Sequence, residues 1–329
     1  MVITEGIHQL KIPIPNNPLG HLNCYLIEGD QGWFMIDTGW YTTESFQALQ
    51  DSLGGIGLSL NDINTIIVTH VHLDHFGLAG RIKKSSPQIQ IMAHYLESNL
   101  LETRYIKHQM FMEKMSASLK SHGTPVRKMP DLEMVFRPAF ESIVITPIDN
   151  HLYGGEIIST GIYDLEVIWT PGHSPGHLCL YEAKNRLLFS GDHVLPAISS
   201  NVIYGGEVGD NPLYNYICSL NKLKHLPVKA VLPAHQDIFQ DLSGRIRQLV
   251  EHHEKRKDEI VGVMETEFKH AYEISSQISW DLIGSWDDIP PLHKGIAILE
   301  TVAHLECMRW EGRVTRIMNG DSILYQKRQ

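Results

Sequence analysis

Apolar residues along the chain fall into short β-prone runs that are separated by helical segments. The run at 63–68, "INTIIV", is apolar at nearly every position, as expected for a strand of a sheet covered on both faces. A helix is predicted from Thr43 to Leu53, with Thr42 or Thr43 as its N-cap and Gly54-Gly55 at its end. The other predicted strands occupy residues 21–30, 32–39, 88–94, 163–169, 185–192 and 228–233. Strands that alternate with helices in this way are typical of an α/β fold.

From residue 94 onwards the sequence pattern predicts more helix than before it. Residues 94–122 have apolar side chains at helical spacing, and 124–155 reads as irregular and then β-like, so about 94–155 is interpreted as a helical insert. After about residue 240 the sequence pattern changes from strands that alternate with helices to long, charged helices. We therefore predict a boundary between a domain at 1–240 and one at 241–329. In the second domain we predict helices at 244–266, 271–283 and 291–310 and then a hairpin at 313–326 with an Asn-Gly turn. The adjacent His252-His253 is expected to be solvated.

Composition and charge narrow the class of protein. The 329 residues are 43% hydrophobic and 20% charged, as in globular proteins, and the net charge of −10 disfavours a large nucleic-acid-binding surface. No apolar run is long enough to span a bilayer, and the N-terminal residues do not have the pattern of a secretory signal. The cysteines are far apart and form no C-x-x-C pair, which indicates reduced thiols and a cytoplasmic protein.

Four polar motifs each follow a predicted strand. They are "HVHLDH" at 70–75, "PGHSPGH" at 171–177, "SGD" at 190–192 and "PAHQD" at 233–237. Functional loops of open α/β sheets collect beyond the carboxyl ends of the strands, so these motifs should converge. Buried polar groups need hydrogen bonds or a cation, and imidazole with carboxylate suits zinc, manganese or iron. The ligands exceed what one tetrahedral ion requires and suffice for two.

The H-x-H-x-D-H run with T-P-G-H-S-P-G-H, S-G-D and a late P-x-H resembles the metallo-β-lactamase superfamily over about residues 1–240. The resemblance implies a four-layer αββα sandwich with two divalent ions, zinc first and manganese or iron as alternatives, at one edge of the two sheets. It implies that one ion is held by His70, His72 and His173, the other by Asp74, His75 and His235, and that Asp192 joins both. Asp37 would support the histidine loop from behind, and His177 and His193 would lie next to the ligands.

Two details place the chain within that superfamily. True β-lactamases of this fold lack the joining aspartate and are exported, so the chain is more similar to the glyoxalase II, lactonase and nuclease side. The tail, 241–329, resembles the winged-helix-like domain of the LACTB-type branch, which includes an endoribonuclease. It carries 12 Lys and Arg against 15 Asp and Glu, which suits a packing or dimerisation element better than a DNA-binding one.

These observations predict a hydrolase that uses a metal-bridging hydroxide, with Asp74 accepting or relaying a proton. The preferred substrate is a small ester, thioester or lactone, because the chain is acidic and the insert could close a pocket. A single-strand endoribonuclease or phosphodiesterase is the alternative favoured by the tail, and a non-catalytic binding or regulatory protein is the third. A homodimer through the insert and the tail is a further hypothesis.

Overall fold

A computed structural model describes residues 1–205, 211–264, 267–280 and 285–328. Its strands are β1 Val2–Thr4, β2 Ile7–Pro13, β3 His21–Gly29, β4 Gly32–Ile36, β5 Ile63–Ile67, β6 Gln90–His94, β7 Asn150–Leu152, β8 Ile157–Ser159, β9 Asp164–Trp169, β10 Leu178–Glu182, β11 Leu187–Gly191, β12 Ala230–Pro233, β13 Val314–Asn319 and β14 Ser322–Lys327. Its α-helices are α1 Thr43–Gly54, α2 Leu73–Phe76, α3 Ala79–Ser85, α4 Tyr95–Leu101, α5 His108–Ser121, α6 Leu132–Ser142, α7 Pro212–Leu223, α8 Leu242–Val263, α9 Ala271–Ser275 and α10 Pro291–Trp310.

The strands form two large sheets and one hairpin. The first sheet runs in chain order from β1 to β7, with β4 to β7 parallel, and the second has the order β12-β11-β10-β9-β8. In the second sheet β11 and β12 are parallel, and the other neighbouring strands are antiparallel. Parallel neighbours end at the same edge, so the loops after β4, β5 and β6 leave the first sheet side by side.

Alternating side chains of β3 and β10 build the layers, because successive residues of a strand point to opposite faces. In β3, Leu22 and Cys24 pack with α1 and α3, whereas Tyr25 contacts the core between the sheets. In β10, Leu180 lies in that central core, and Tyr181 lies in a cluster with α7, α8 and α10. Helix, sheet, sheet and helix therefore stack as the four-layer αββα arrangement that was predicted.

The helices after residue 240 pack on the second sheet as well as on each other. Leu242, Ile246 and Leu249 of α8 share a hydrophobic cluster with Leu188 and Val231 of the sheet. A further cluster joins α8, α9, α10 and the β13-β14 hairpin to Leu119 of the insert. None of the helices in the described ranges is long and apolar enough to cross a membrane.

Most predicted elements are present, with four differences. The tract predicted to be irregular contains α6, an eleven-residue helix that tolerates Pro138 in its interior. The predicted helix at 271–283 is limited to α9 in the described part, and its residues 281–283 lie outside the described residues. In the hairpin Asn319 pairs with Ser322, so the two turn residues are Gly320 and Asp321 rather than Asn-Gly.

The fourth difference is His253, which is fully buried instead of solvated. Its Nδ1 lies 3.1 Å from Nε2 of His304, and Nδ1 of His304 donates to the carbonyl of Glu300 at 2.8 Å. His304 therefore accepts from His253 and is neutral. Burial lowers the pKa of His304 to about 3.

We expect His304 to make the protein less stable in acid. Its pKa is about 3 in the folded state and about 6.5 in the unfolded state, so the unfolded chain binds more protons between these values. Its contribution is therefore complete above about pH 6.5 and is lost as the pH falls towards 3, by roughly 1.4 kcal/mol per pH unit. Urea unfolding of the wild type and His304→Gln at about pH 7 and pH 5 measures this slope, which should be shallower in the variant by that amount.

The exposed His225 gives a matched control, since His225→Gln should keep the slope of the wild type. Equal slopes for His304→Gln and the wild type would show that His304 is not protonated on unfolding.

Candidate metal centre

The loops after four strands bring the predicted ligands to one edge of the sandwich. The loop after β5 and the short helix α2 carry the residues of the first motif, and His173 follows β9. Asp192 follows β11, and His235 follows β12. All seven predicted ligands belong to groups of His and Asp side chains whose ligand atoms lie within 4.8 Å of one another.

The first group consists of three imidazoles. Nε2 of His70 lies 2.8 Å from Nδ1 of His72, and Nε2 of His173 lies 3.1 and 3.0 Å from these two nitrogens. Nδ1 of His173 donates to the carbonyl of Asn201 at 2.8 Å, which leaves Nε2 with its lone pair towards the group. Three imidazole nitrogens that face one point are the ligand set of many zinc sites.

The second group combines a carboxylate with two imidazoles. Oδ2 of Asp74 lies 3.1 Å from Nε2 of His235 and 3.8 Å from Nε2 of His75. Nδ1 of His235 donates to the carbonyl of His21 at 3.1 Å, and Nδ1 of His75 donates to Asp37 Oδ2 at 2.7 Å. Both rings are thereby held in the tautomer that presents Nε2 to the centre.

Asp192 lies between the two groups and faces each with one oxygen. Its Oδ1 lies 3.4 Å from Nε2 of both His75 and His235, and its Oδ2 lies 3.6 Å from Nε2 of His173. One carboxylate can therefore contribute to both groups at once.

The residues of this site fit divalent cations. Three buried atoms, Nε2 of His75, Nε2 of His235 and Oδ1 of Asp192, make no hydrogen bond to the residues that the structure describes. Buried polar atoms in proteins are almost always satisfied, and these three surround one point. Nitrogen and carboxylate oxygen without thiolate are the ligands of zinc, manganese and iron.

The two groups differ in charge. Burial holds the pKa of His70 and His72 well below the usual value, helped by neighbouring imidazoles at His70 and by the charge of Arg104 and then neighbouring imidazoles at His72. Both rings are therefore neutral and able to bind a metal at neutral pH. Burial would also lower the pKa of His75, but Asp37, Asp192 and Asp74 raise it well above the usual value. The carboxylates around the second group thus favour a positive charge there, which a divalent cation would supply.

Asp37 holds the first motif from behind, as the resemblance implied. Its Oδ1 accepts from the backbone N–H of Thr69 at 2.8 Å, and its Oδ2 accepts from the Thr69 hydroxyl at 2.9 Å and from His75. Asp37 has a φ of 59°, a left-handed conformation that few residues other than glycine adopt. This backbone turn aims the carboxylate at the loop that carries the ligands.

His177 and His193 lie beside the ligands, in different surroundings. Both nitrogens of His177 are used, since Nδ1 donates to Thr170 Oγ1 at 2.8 Å and Nε2 accepts from the backbone N–H of Asp192 at 3.1 Å. His177 therefore positions Asp192. His193 is buried against Tyr216, with ring centroids 4.7 Å apart, and burial lowers its pKa to about 3.

Glu97 is a part of the site that the sequence analysis missed. It is fully buried in α4, and its Oε2 accepts from the backbone N–H of Val71 at 2.8 Å. Its Oε1 accepts from Gly176 N at 2.8 Å and from the Ser174 hydroxyl at 2.5 Å. One carboxylate thus joins the His70–His72 loop to the His173 loop. The sequence did contain a signal for Glu97, because this residue closely follows the strand β6. The carboxyl end of β6 lies beside that of β5, where the first motif begins.

Comparisons with known proteins agree with this geometry. The model of the metallo-beta-lactamase superfamily matches residues 18–235, and the chain belongs to this superfamily. It is 25% identical to "Probable metallo-hydrolase YqjP" of Bacillus subtilis, over 98% of both chains. It is 26% identical to the acyl-coenzyme A thioesterase MBLAC2 of Gallus gallus, over 66% of this chain and 73% of the relative. The crystal structure of a metallo-beta-lactamase family protein from Thermus thermophilus has a TM-score of 0.83 at 29% identity, covering 99% of this chain and 100% of that one.

We expect Glu97→Ala to destabilise the protein by about 3 kcal/mol or more. The substitution leaves two buried backbone N–H groups without an acceptor, each at a cost of roughly 1–3 kcal/mol, and removes a contact between two loops. Urea unfolding measures this loss, and metal content after dialysis should fall with it. Glu102→Ala removes an exposed carboxylate that pairs with Lys107 and should change stability by less than about 1 kcal/mol. Equal stability of the two variants would show that the Glu97 contacts contribute little.

Proposed function

We propose that this chain is a binuclear metal-dependent hydrolase of a small ester, thioester or lactone. The observation that carries the proposal is Asp192, whose two oxygens face two separate groups of potential ligands. His70, His72 and His173 would hold one ion, Asp74, His75 and His235 the other, and Asp192 would serve both. We propose zinc for these sites, with manganese and iron as the alternatives that the same ligands suit.

Divalent ions bound there would polarise a substrate carbonyl and lower the pKa of a water molecule to about 7, which supplies a nucleophile at neutral pH. The residues of the chain hold the geometry and move protons. Asp37 and the carbonyl of His21 fix the tautomers of His75 and His235, so that both rings present Nε2. Asp74 Oδ2 lies 3.1 Å from His235 Nε2 on the partly exposed side of the site, and we assign it the role of accepting the proton of the attacking water and passing it to the leaving group.

Two observations favour an ester-type substrate over a nucleic acid. The net charge of −10 opposes binding of a polyanion, and one of the relatives is an acyl-coenzyme A thioesterase. We therefore put a thioester first among the substrate classes.

For the rest of the chain we propose the organisation that the sequence indicated. A catalytic domain at 1–240 would carry the insert at about 94–155, and 241–329 would form a winged-helix-like domain of the kind found with glyoxalase II-like and LACTB-like enzymes. The order α9, α10 and the β13-β14 hairpin is consistent with this assignment. Because α8 and α10 bury apolar side chains against the second sheet, we assign the tail a packing role.

Metal analysis of protein purified without chelator tests the binuclear site. We expect two ions per chain in the wild type and one or none in Asp192→Ala, since that carboxylate serves both groups. Hydrolysis of a panel of esters, thioesters and lactones should fall by at least about 100-fold in the variant, as removal of a central electrostatic group in a site does.

Asp164→Ala removes an exposed carboxylate at the start of β9 and should keep both the metal and the activity. Less than one ion per wild-type chain after reconstitution with zinc, manganese or iron would contradict the mechanism. Cleavage of a single-stranded RNA by a metal-loaded protein that is inactive on the whole panel would replace the proposed substrate by a phosphodiester.

A further inference from the structure

The edges of the two large sheets are either short or covered by another part of the chain. The edge strands β1, β7 and β8 have three residues each. The fourth edge strand, β12, is covered at Val231, which exchanges backbone hydrogen bonds of 2.7 and 3.2 Å with Phe239. Proteins generally protect sheet edges in these ways, because the unpaired N–H and C=O groups of an edge strand can pair with another chain.

The strand β13 of the C-terminal hairpin is an edge strand without such protection. It has six residues, and all of them pair with β14 on one side without a bulge. On its other side, the backbone of β13 makes no hydrogen bond to any residue of 1–205, 211–264, 267–280 or 285–328. Its sequence, "VTRIMN", contains neither the lysine nor the proline that often blocks pairing at an edge.

The direction of the free backbone groups follows from the hydrogen bonds of β14. Tyr325 exchanges backbone hydrogen bonds of 2.8 and 2.9 Å with Lys269, on the side of β14 that faces away from β13. Tyr325 lies opposite Arg316, so this pair makes no backbone hydrogen bond between the two strands. The N–H and C=O of Arg316 therefore point to the open edge, and by alternation those of Val314 and Met318 do so too.

The side chains along this open edge also suit contact with another strand. The residues from 316 to 319 are exposed, and Ile317 and Met318 leave 38% and 62% of their surface exposed. The charged side chain of β13 is engaged within the molecule, since Nη1 of Arg316 lies 3.0 Å from Oε1 of the buried Glu306 on α10. The edge is thus apolar at two neighbouring positions.

We propose that β13 pairs with β13 of a second copy of this chain, antiparallel about a twofold axis, so that the two hairpins form one four-stranded sheet. A second copy carries the same open edge, and an antiparallel pair of identical strands is self-complementary. The inference goes beyond the proposed function and does not depend on it.

The charge of Arg316 selects the register of this pairing. Like charges directly opposite each other are destabilising, which disfavours the register in which Arg316 faces the partner's Arg316. In the neighbouring register Arg316 exchanges two backbone hydrogen bonds with the partner's Met318, and Met318 does the same with the partner's Arg316. Ile317 then lies directly opposite the partner's Ile317, on the axis.

Sedimentation velocity of the full chain over a range of concentrations tests the pairing. One strand pair is a small interface, so we expect the wild type to form a reversible dimer. Ile317→Lys places two ammonium groups opposite each other and should raise the dissociation constant roughly 10-fold. Thr315→Lys is the matched control, because it adds the same charge to the same face of β13 but places it about 13 Å from its equivalent, beyond the Debye length. It should dimerise as the wild type does.

Met318→Pro tests the backbone contribution. It removes an N–H that points to the open edge, and the hydrogen bonds between β13 and β14 remain. Because the axis repeats the loss, two hydrogen bonds between the copies disappear, and the dissociation constant should rise roughly 10- to 100-fold. Urea unfolding of the same variant should give a free energy close to that of the wild type.

Cysteine cross-linking tests the register, in a Cys218→Ser background that removes an exposed thiol. Residues opposite each other in a pair without backbone hydrogen bonds have Cα atoms about 4.5 Å apart, which a disulfide can span. Ile317→Cys should therefore form a disulfide-linked dimer on mild oxidation, whereas Thr315→Cys, on the same face, should remain a monomer on a non-reducing gel.

Three results would overturn the inference. The first is a wild type that is monomeric at every concentration. The second is a dimer that neither Ile317→Lys nor Met318→Pro weakens, because such a dimer would use another surface. The third is cross-linking at position 315 that is as rapid as cross-linking at position 317.

Discussion

The arrangement of this protein depends on the cost of burying charged carboxylates and imidazoles at one edge of a sandwich. Asp192, His75 and His235 expose little of their side chains and leave polar atoms without hydrogen bonds to the residues that the structure describes. A cation bound between these atoms would offset the cost of burying them. The same requirement explains why His70 and His72 are held neutral while His75 and His235 have raised pKa values.

Hydrogen bonds from surrounding side chains hold this cluster of buried His and Asp residues in place. Asp37 fixes the ring of His75, His177 fixes the backbone of Asp192, and Glu97 joins two loops that are about 100 residues apart in the chain. Each of these side chains is buried and uses both of its polar atoms. The ligand atoms are therefore positioned before any ion binds, which reduces the entropy that binding must overcome.

The helices that follow residue 240 also support the sheet from which the loops of His173 and Asp192 extend. The outer face of the second sheet is apolar, and α7, α8 and α10 cover it together. Two side chains of α7 also contact the loops of His173 and Asp192, since Ser219 donates to the carbonyl of Pro171 and Tyr216 donates to the carbonyl of His193. The insert contributes through α4, whose Glu97 joins the loops of His72 and His173.

The sequence by itself determined the α/β class, most of the strands, the helix that begins at Thr43 and which His and Asp side chains converge at one edge, because strand periodicity and dense His and Asp motifs are local signals. It did not determine α6, which lies in a tract that reads as irregular, nor the burial of His253, whose partner His304 is 51 residues away. Only the tertiary structure decided which oxygen of Asp192 faces which group and that Glu97 joins two loops. These are long-range contacts, and no local pattern of residues specifies the direction of a side chain across the space between two sheets.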